Sequence, residues 1–417
     1  MATLGHHGAV SSIIQFSPQL QVQRSLCDSS ASEIVTEIWY SSLLSERTYN
    51  YLCASLRGLL ALKSAADLKT ATGGLTSLNE SHLKVLREVW KRWLDMRVEG
   101  TSSIRKQRQE AMNADSGSFF GKINYYNCIP KEHVPTAQKY MEDGVFQRTQ
   151  KCSFAENPTL TASSLFPKGG PFNYCCPPNV LPFVGWDYVE VKKFKHTKSL
   201  VTMYGKYIDS KLASFMEKLT SKQVSFDIIL GNCVNIEEYL NKGTTYDRIL
   251  TSNLMDYILL PELLRMYSDK LNRDNPYATL ITECQNWVNF CPDADVSMMP
   301  FATPVQTAHF SRIVMQDTND PVFANDGGTT FREYLDNSNE WQDYLRALFY
   351  VYDKRDETGT SNSSKLPILK ELGNKFQLRL RDGFRNENRI VFFKQAVNRR
   401  RVTMVTGLER YMEWVAA

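Results

Sequence analysis

The chain lacks most of the short motifs that name a chemistry outright. Its nine cysteines contain no CxxC pair, and zinc modules usually bring two close pairs of ligands. The adjacent Cys175 and Cys176 are badly placed to hold one metal together, so the cysteines read as reduced, partly buried thiols. The histidines at 6, 7, 82, 133, 196 and 309 form no HExxH pattern and no paired metal spacing. There is no GxSxG elbow. There is no GxxxxGK[ST] phosphate loop either, which argues against ATP or GTP hydrolysis. No apolar run approaches the ~20 residues of a membrane span. The first residues lack a basic stretch followed by a long apolar one, so no signal peptide is expected and the cytoplasm is the expected compartment. A net charge of +4 is too small to argue for nucleic acid or an anionic membrane.

What is present is ordinary globular material: 417 residues, 42% hydrophobic and 23% charged. Periodicity predicts a helix over 34–62 with Gly58 as its weak point, and a break at Gly73-Gly74. A second helix is predicted over 81–96, whose stripe of Leu83, Leu86, Trp90 and Trp93 is core. Residues 104–112 read as a solvated helix. Residues 121–188 are rich in Pro, Gly, Asn and aromatics and read as an ordered irregular segment. An amphipathic helix is expected over 204–219, followed by a buried-type strand over 224–230 that ends in Gly231-Asn232-Cys233.

The densest signal lies in residues 246–282. The strand Arg248-Ile249-Leu250 runs into the polar corner Thr251-Ser252-Asn253, then an amphipathic helix, then a strand over 278–282. In open α/β sheets the carboxyl ends of such strands face the ligand crevice. Two strand–helix units in succession predict a parallel sheet with right-handed crossovers. Beyond it, a helix over 331–352, an exposed loop over 356–365, and an antiparallel pair formed by 389–393 and 402–406 are expected. The division predicted is a helical region (1–120), an irregular segment (121–200), a parallel core (201–283), an insertion (284–388) and a C-terminal β-hairpin (389–417), joined in one composite domain.

The order YSSLL, NPTLT, FDIILGN, YDRILTSNLMDY, NPYATLIT, NRRRVTMVTG, from about Phe16 onward, resembles an uncharacterised methyltransferase-like family. That family is catalogued as domain of unknown function 4470. Its members often carry MYND zinc fingers, and dynein axonemal assembly factor 3 is distantly similar. The resemblance implies a class I S-adenosylmethionine methyltransferase fold: a Rossmann-type three-layer α/β sheet with a helical N-terminal region and a C-terminal antiparallel hairpin. It implies S-adenosylmethionine as cofactor, with Gly231, Asn232 and Cys233 at the adenine edge and Thr251 and Ser252 toward the methionine end. Ser252, Asn253 and Asp256 would then lie near the methyl donor or substrate, with Asn253 and Asp256 as the catalytic candidates. Asp256 would orient a substrate amine or act as a base. Ser252 and Asn253 equally suit a helix cap.

The chain departs from the family in having no MYND finger and no GxGxG or Gly-Asp turn before Ile34. Residues 14–27 resemble the region after the family's second strand. This implies either a truncated isoform or gene model, or a variant with a reduced sheet and a half-built crevice. Two functions follow. One is methyl transfer to an unknown acceptor; the other is a non-catalytic scaffold or assembly factor with a protein partner. Nucleic-acid binding through Arg379, Arg381, Arg385, Arg389 and Arg399-Arg400-Arg401 is outweighed by ion pairing with Asp382, Glu387 and Glu409.

Overall fold

The computed structural model describes residues 29–99, 104–114, 126, 132–146, 153–162, 173–176, 191, 193–194, 197–240, 242–284, 286–287, 369–381 and 410–417. These form a mixed α/β protein of helices and small sheets. They divide into two units, the first ending at Cys233 and the second beginning at Val234. Each has its own apolar core. The expected elements over 331–352, 356–365, 389–393 and 402–406, and residues 14–27, lie outside the described residues.

In the first unit the predicted helix over 34–62 is two helices, α1 (Ser29–Tyr40) and α2 (Glu46–Ala61), separated by β1 (Leu43–Ser45). Apolar spacing carries across the break, but Ser41, Ser42 and Ser45 supply competing bonds. Ser45 Oγ accepts from Thr48 N at 3.3 Å and so caps α2. Its backbone N–H and hydroxyl both donate to the buried Glu37 carboxylate, at 3.1 and 2.7 Å. The short α3 (Ala65–Ala71) opens with a capping box between Ser64 and Asp67. β2 (Thr76–Ser77) and α4 (Glu80–Glu99) follow. Leu83, Leu86, Trp90 and Trp93 of α4 are buried against α2 and the apolar face of α1. Burial of each such side chain is worth about 1.5–3 kcal/mol.

α5 (Ile104–Ala114) departs from expectation. Its face of Ile104, Arg108 and Met112, spaced four apart, is buried rather than solvated. The segment expected to be irregular contains α6 (Val134–Asp143) and three short strands: β3 (Ser153–Glu156), β4 (Thr161–Ala162) and β5 (Asn173–Tyr174). β1 pairs antiparallel with β3, and β4 with β5. α6 ends at Gly144, whose φ of 67° is left-handed. A side chain there would meet Ser42 Oγ at 2.6 Å and Arg108 Cδ at 3.0 Å. α7 (Leu200–Thr220) is capped by Ser199 and leads to β6 (Phe226–Asp227). β6 pairs in parallel with β2. No residue of 224–230 is fully buried, so the buried-type strand expected there is a shorter, half-covered one.

The second unit holds a four-stranded sheet, ordered β7 (Arg248–Leu250), β8 (Thr279–Cys284), β10 (Arg410–Ala416) and β9 (Leu378–Leu380). β7 and β8 are parallel; β10 runs antiparallel to both β8 and β9. The predicted strand–corner–helix–strand unit is present. Its helix α8 (Leu260–Tyr267) buries Leu260, Leu263, Leu264 and Tyr267, and has Pro261 in the first turn, where a missing N–H costs nothing. The core gathers α8, Leu280 of β8, Trp414 of β10, Trp287, and Leu372 from α9 (Leu369–Lys375). Arg381, expected in a solvated cluster, is buried. Its Nε lies 3.3 Å from Glu413 Oε2, and its Nη2 donates to Thr279 Oγ1 at 2.5 Å. The sheet supplies the partner that sequence proximity assigned to Asp382, Glu387 or Glu409.

Candidate functional site

The polar corner after β7 is built by the parallel pairing. Arg248, Ile249 and Leu250 register with Thr279, Leu280 and Ile281, and Thr251 N–H continues the ladder by donating to Ile281 O at 3.1 Å. Thr251 is buried at the carboxyl end of β7, where its hydroxyl donates to Ser252 O at 3.2 Å. The chain then turns sharply. Ser252 sits at φ 48°, the left-handed region that costs a side-chain-bearing residue about 1–2 kcal/mol. A 3-10 turn over Ser252–Asp256 follows, and α8 starts only at Leu260. Neither Ser252 nor Asn253 occupies the cap position of the turn or of α8. Those positions belong to Thr251 and Leu259, and neither makes a side-chain cap bond.

Asp256 is the hub of the corner. One carboxylate oxygen accepts from Asn286 N–H at 2.9 Å and from the Cys284 thiol at 3.0 Å. The other accepts from Asn253 Nδ2 at 3.4 Å. The carboxylate therefore ties the turn after β7 to the end of β8. Thr251, Ser252, Asn253 and Asp256 are brought together within one turn. Around them Leu250, Tyr257 and Leu259 are exposed, Leu250 by 71%.

Gly231, Asn232 and Cys233 close the first unit. Gly231 and Asn232 are exposed, and the Cys233 thiol donates to Asn232 Oδ1 at 3.9 Å. Cys233 also opens a 3-10 turn over Cys233–Glu238. On the amino side of β7, Asp247 accepts from Asn272 Nδ2 at 2.8 Å. Hydrogen bonds from the Asn275 and Asn272 side chains hold its carboxyl below the usual carboxylate range.

Two of the resemblance-bearing motifs of the first unit meet. Asn157 of NPTLT is fully buried, and its Nδ2 donates to Ile38 O at 2.7 Å and Ser41 O at 2.8 Å. Its own N–H donates to Ser42 O at 2.9 Å. Thr159 Oγ1 adds a bond to Ile38 O at 3.0 Å. NPTLT is thus the side-chain cap for the end of α1, where YSSLL begins. That role was not evident from the sequence. The signal available was an Asn-Pro turn whose Asn could reach orphan helix carbonyls.

Sequence reasoning also missed a polar cluster around Arg108. The buried guanidinium donates to Met141 O at 2.7 Å and Tyr140 O at 3.4 Å, and lies 5.1 Å from the centre of the Tyr140 ring. The visible signal was a cation between Ile104 and Met112 on one helix face. Among the described residues no group of three or more His, Cys, Asp or Glu side chains is arranged to hold a metal ion, and no helix is long and apolar enough to cross a membrane. Comparison of the chain with family profiles, curated proteins and solved structures returned no match.

Proposed function

We propose that the chain is a methyltransferase-like protein that works as a binding or assembly scaffold rather than by methyl transfer. The observation that carries this reading is Asp256: the carboxylate best placed to serve chemistry at the corner is occupied by Asn286, Cys284 and Asn253. It is spent on holding two strands together. The exposed Leu250, Tyr257 and Leu259 support contact with a protein partner, since clustered apolar surface is a common mark of an interface. A Rossmann-type arrangement is supported by the parallel β7–α8–β8 unit with antiparallel strands beside it.

A second reading, S-adenosylmethionine binding at this corner, is favoured by one feature. Ser252 holds a left-handed backbone at the carboxyl end of a parallel strand, and strained residues gather at ligand sites. In that reading Thr251, Ser252 and Asn253 contact the methionine end, and an unknown acceptor takes the methyl group. Release of S-adenosylhomocysteine by the full chain and by Asp256→Asn separates the two. The scaffold reading expects none from either protein and a lower melting temperature for the variant. Release that stops in Asp256→Asn at an unchanged melting temperature would overturn it.

A further inference from the structure

Cys175 and Cys176 follow β5, half-buried and in the thiol form. Three bonds hold them in place. Cys175 N–H and thiol both point to Leu160 O, at 3.1 and 3.5 Å, and Tyr174 N–H donates to Gln107 Oε1 at 2.8 Å. Gln107 precedes Arg108 on α5, so the strand end that carries the thiols is pinned to the helix that carries the buried cation. Arg108 is 2% exposed and among the described residues makes no ion pair with a carboxylate. Among the described residues its partners are the two carbonyls and Tyr140, and no carboxylate neutralises it. The acidic groups whose charge it reaches include Cys176, Tyr126, Tyr140 and Tyr174.

We propose that Cys175 and Cys176 are a redox-active pair that closes to a vicinal disulfide by exchange with a low-molecular-weight disulfide such as oxidised glutathione. Cys175 gives up its thiol proton to solvent and attacks one sulfur of the glutathione disulfide. That bond breaks, one glutathione thiolate leaves and takes up a proton, and a mixed disulfide stands on Cys175. Cys176 then loses its proton to solvent and attacks the Cys175 sulfur, expelling the second glutathione thiolate, which is protonated in turn. Two protein thiols are oxidised, and one disulfide is reduced to two thiols.

The division of labour follows from the contacts. The hydrogen bond from Cys176 brings the Cys175 thiol below its ordinary value against the opposing effect of burial. Donating that bond, together with burial, pushes Cys176 up. Cys175 therefore gives up its proton more readily and attacks first, and Cys176 is the resolving partner. Neighbouring Cα atoms are ~3.8 Å apart across a trans peptide, closer than the ~4.4–6.8 Å of ordinary disulfides. The closed form is strained and so readily reduced again.

The test is to equilibrate the full chain with graded ratios of oxidised to reduced glutathione, block remaining thiols, and map the peptides by mass. The expected result is a 175–176 peptide short of its two thiol hydrogens. Cys176→Ser should stop at a stable glutathione adduct on Cys175. Iodoacetamide should alkylate Cys175 at neutral pH roughly tenfold faster than Cys233. Arg108 acts on Cys176 and hence on the second step: Arg108→Met should let the glutathione adduct on Cys175 accumulate, and Arg108→Lys should not. Wild-type protein decides the matter even where a variant fails to fold. A Cys233 adduct with residues 175 and 176 still reduced, or equal alkylation rates at Cys175 and Cys233, would overturn the proposal.

Discussion

Asn157 shows how much one buried amide can decide. Its side chain answers two carbonyls at the end of α1, and its backbone N–H answers a third. Asn157→Ala leaves buried acceptors without their donor and is expected to cost about 2–4 kcal/mol, measurable by urea unfolding. Asp247 makes the pH-dependent counterpart. Its carboxyl is held low in the folded chain by Asn275 and Asn272. It therefore adds stability above the ordinary carboxylate pKa, and that stability is lost as pH falls through the lower folded value. Melting curves between about pH 5 and pH 2 should fall less steeply for Asp247→Asn than for wild type. Little of this was legible in the sequence. NPTLT reads as a turn whichever carbonyls it serves, and Arg108 reads as one more surface cation until the helix face it shares with Ile104 and Met112 is seen to be buried.

Periodicity located most elements at the scale of helices and strands, yet misjudged where they stop. α4 and its Leu and Trp stripe, α7, and the β7–corner–α8–β8 unit follow from spacing alone. The predicted helix over 34–62 failed at Ser41 and Ser42. Bonds to Gly144 and Asn157, more than a hundred residues on, outcompete helix continuation there, and no local propensity encodes them. Gly144 is where that junction is most easily broken. Its left-handed backbone and the close approach of Ser42 and Arg108 leave no room for a methyl group. Gly144→Ala should destabilise by about 3 kcal/mol, combining backbone strain with overpacking. Chemical denaturation reads this directly, as a lower midpoint at unchanged slope.

Across the molecule, the mixed α/β character was legible, because strand–helix–strand alternation and turn chemistry report it together. The pairing of strands was not. β10 lies between β8 and β9 although it comes last in the chain, and β6 joins β2 across some 150 residues. The polar turn after β7 was legible, but the partners of Asp256 were not, since only the fold places Asn286 and Cys284 against it. The scaffold account rests on that carboxylate being structural. Calorimetric titration of the full chain with S-adenosylmethionine, followed by product analysis, tests it most directly. The account predicts no saturable heat at millimolar cofactor and no S-adenosylhomocysteine. Saturable binding accompanied by turnover would contradict it.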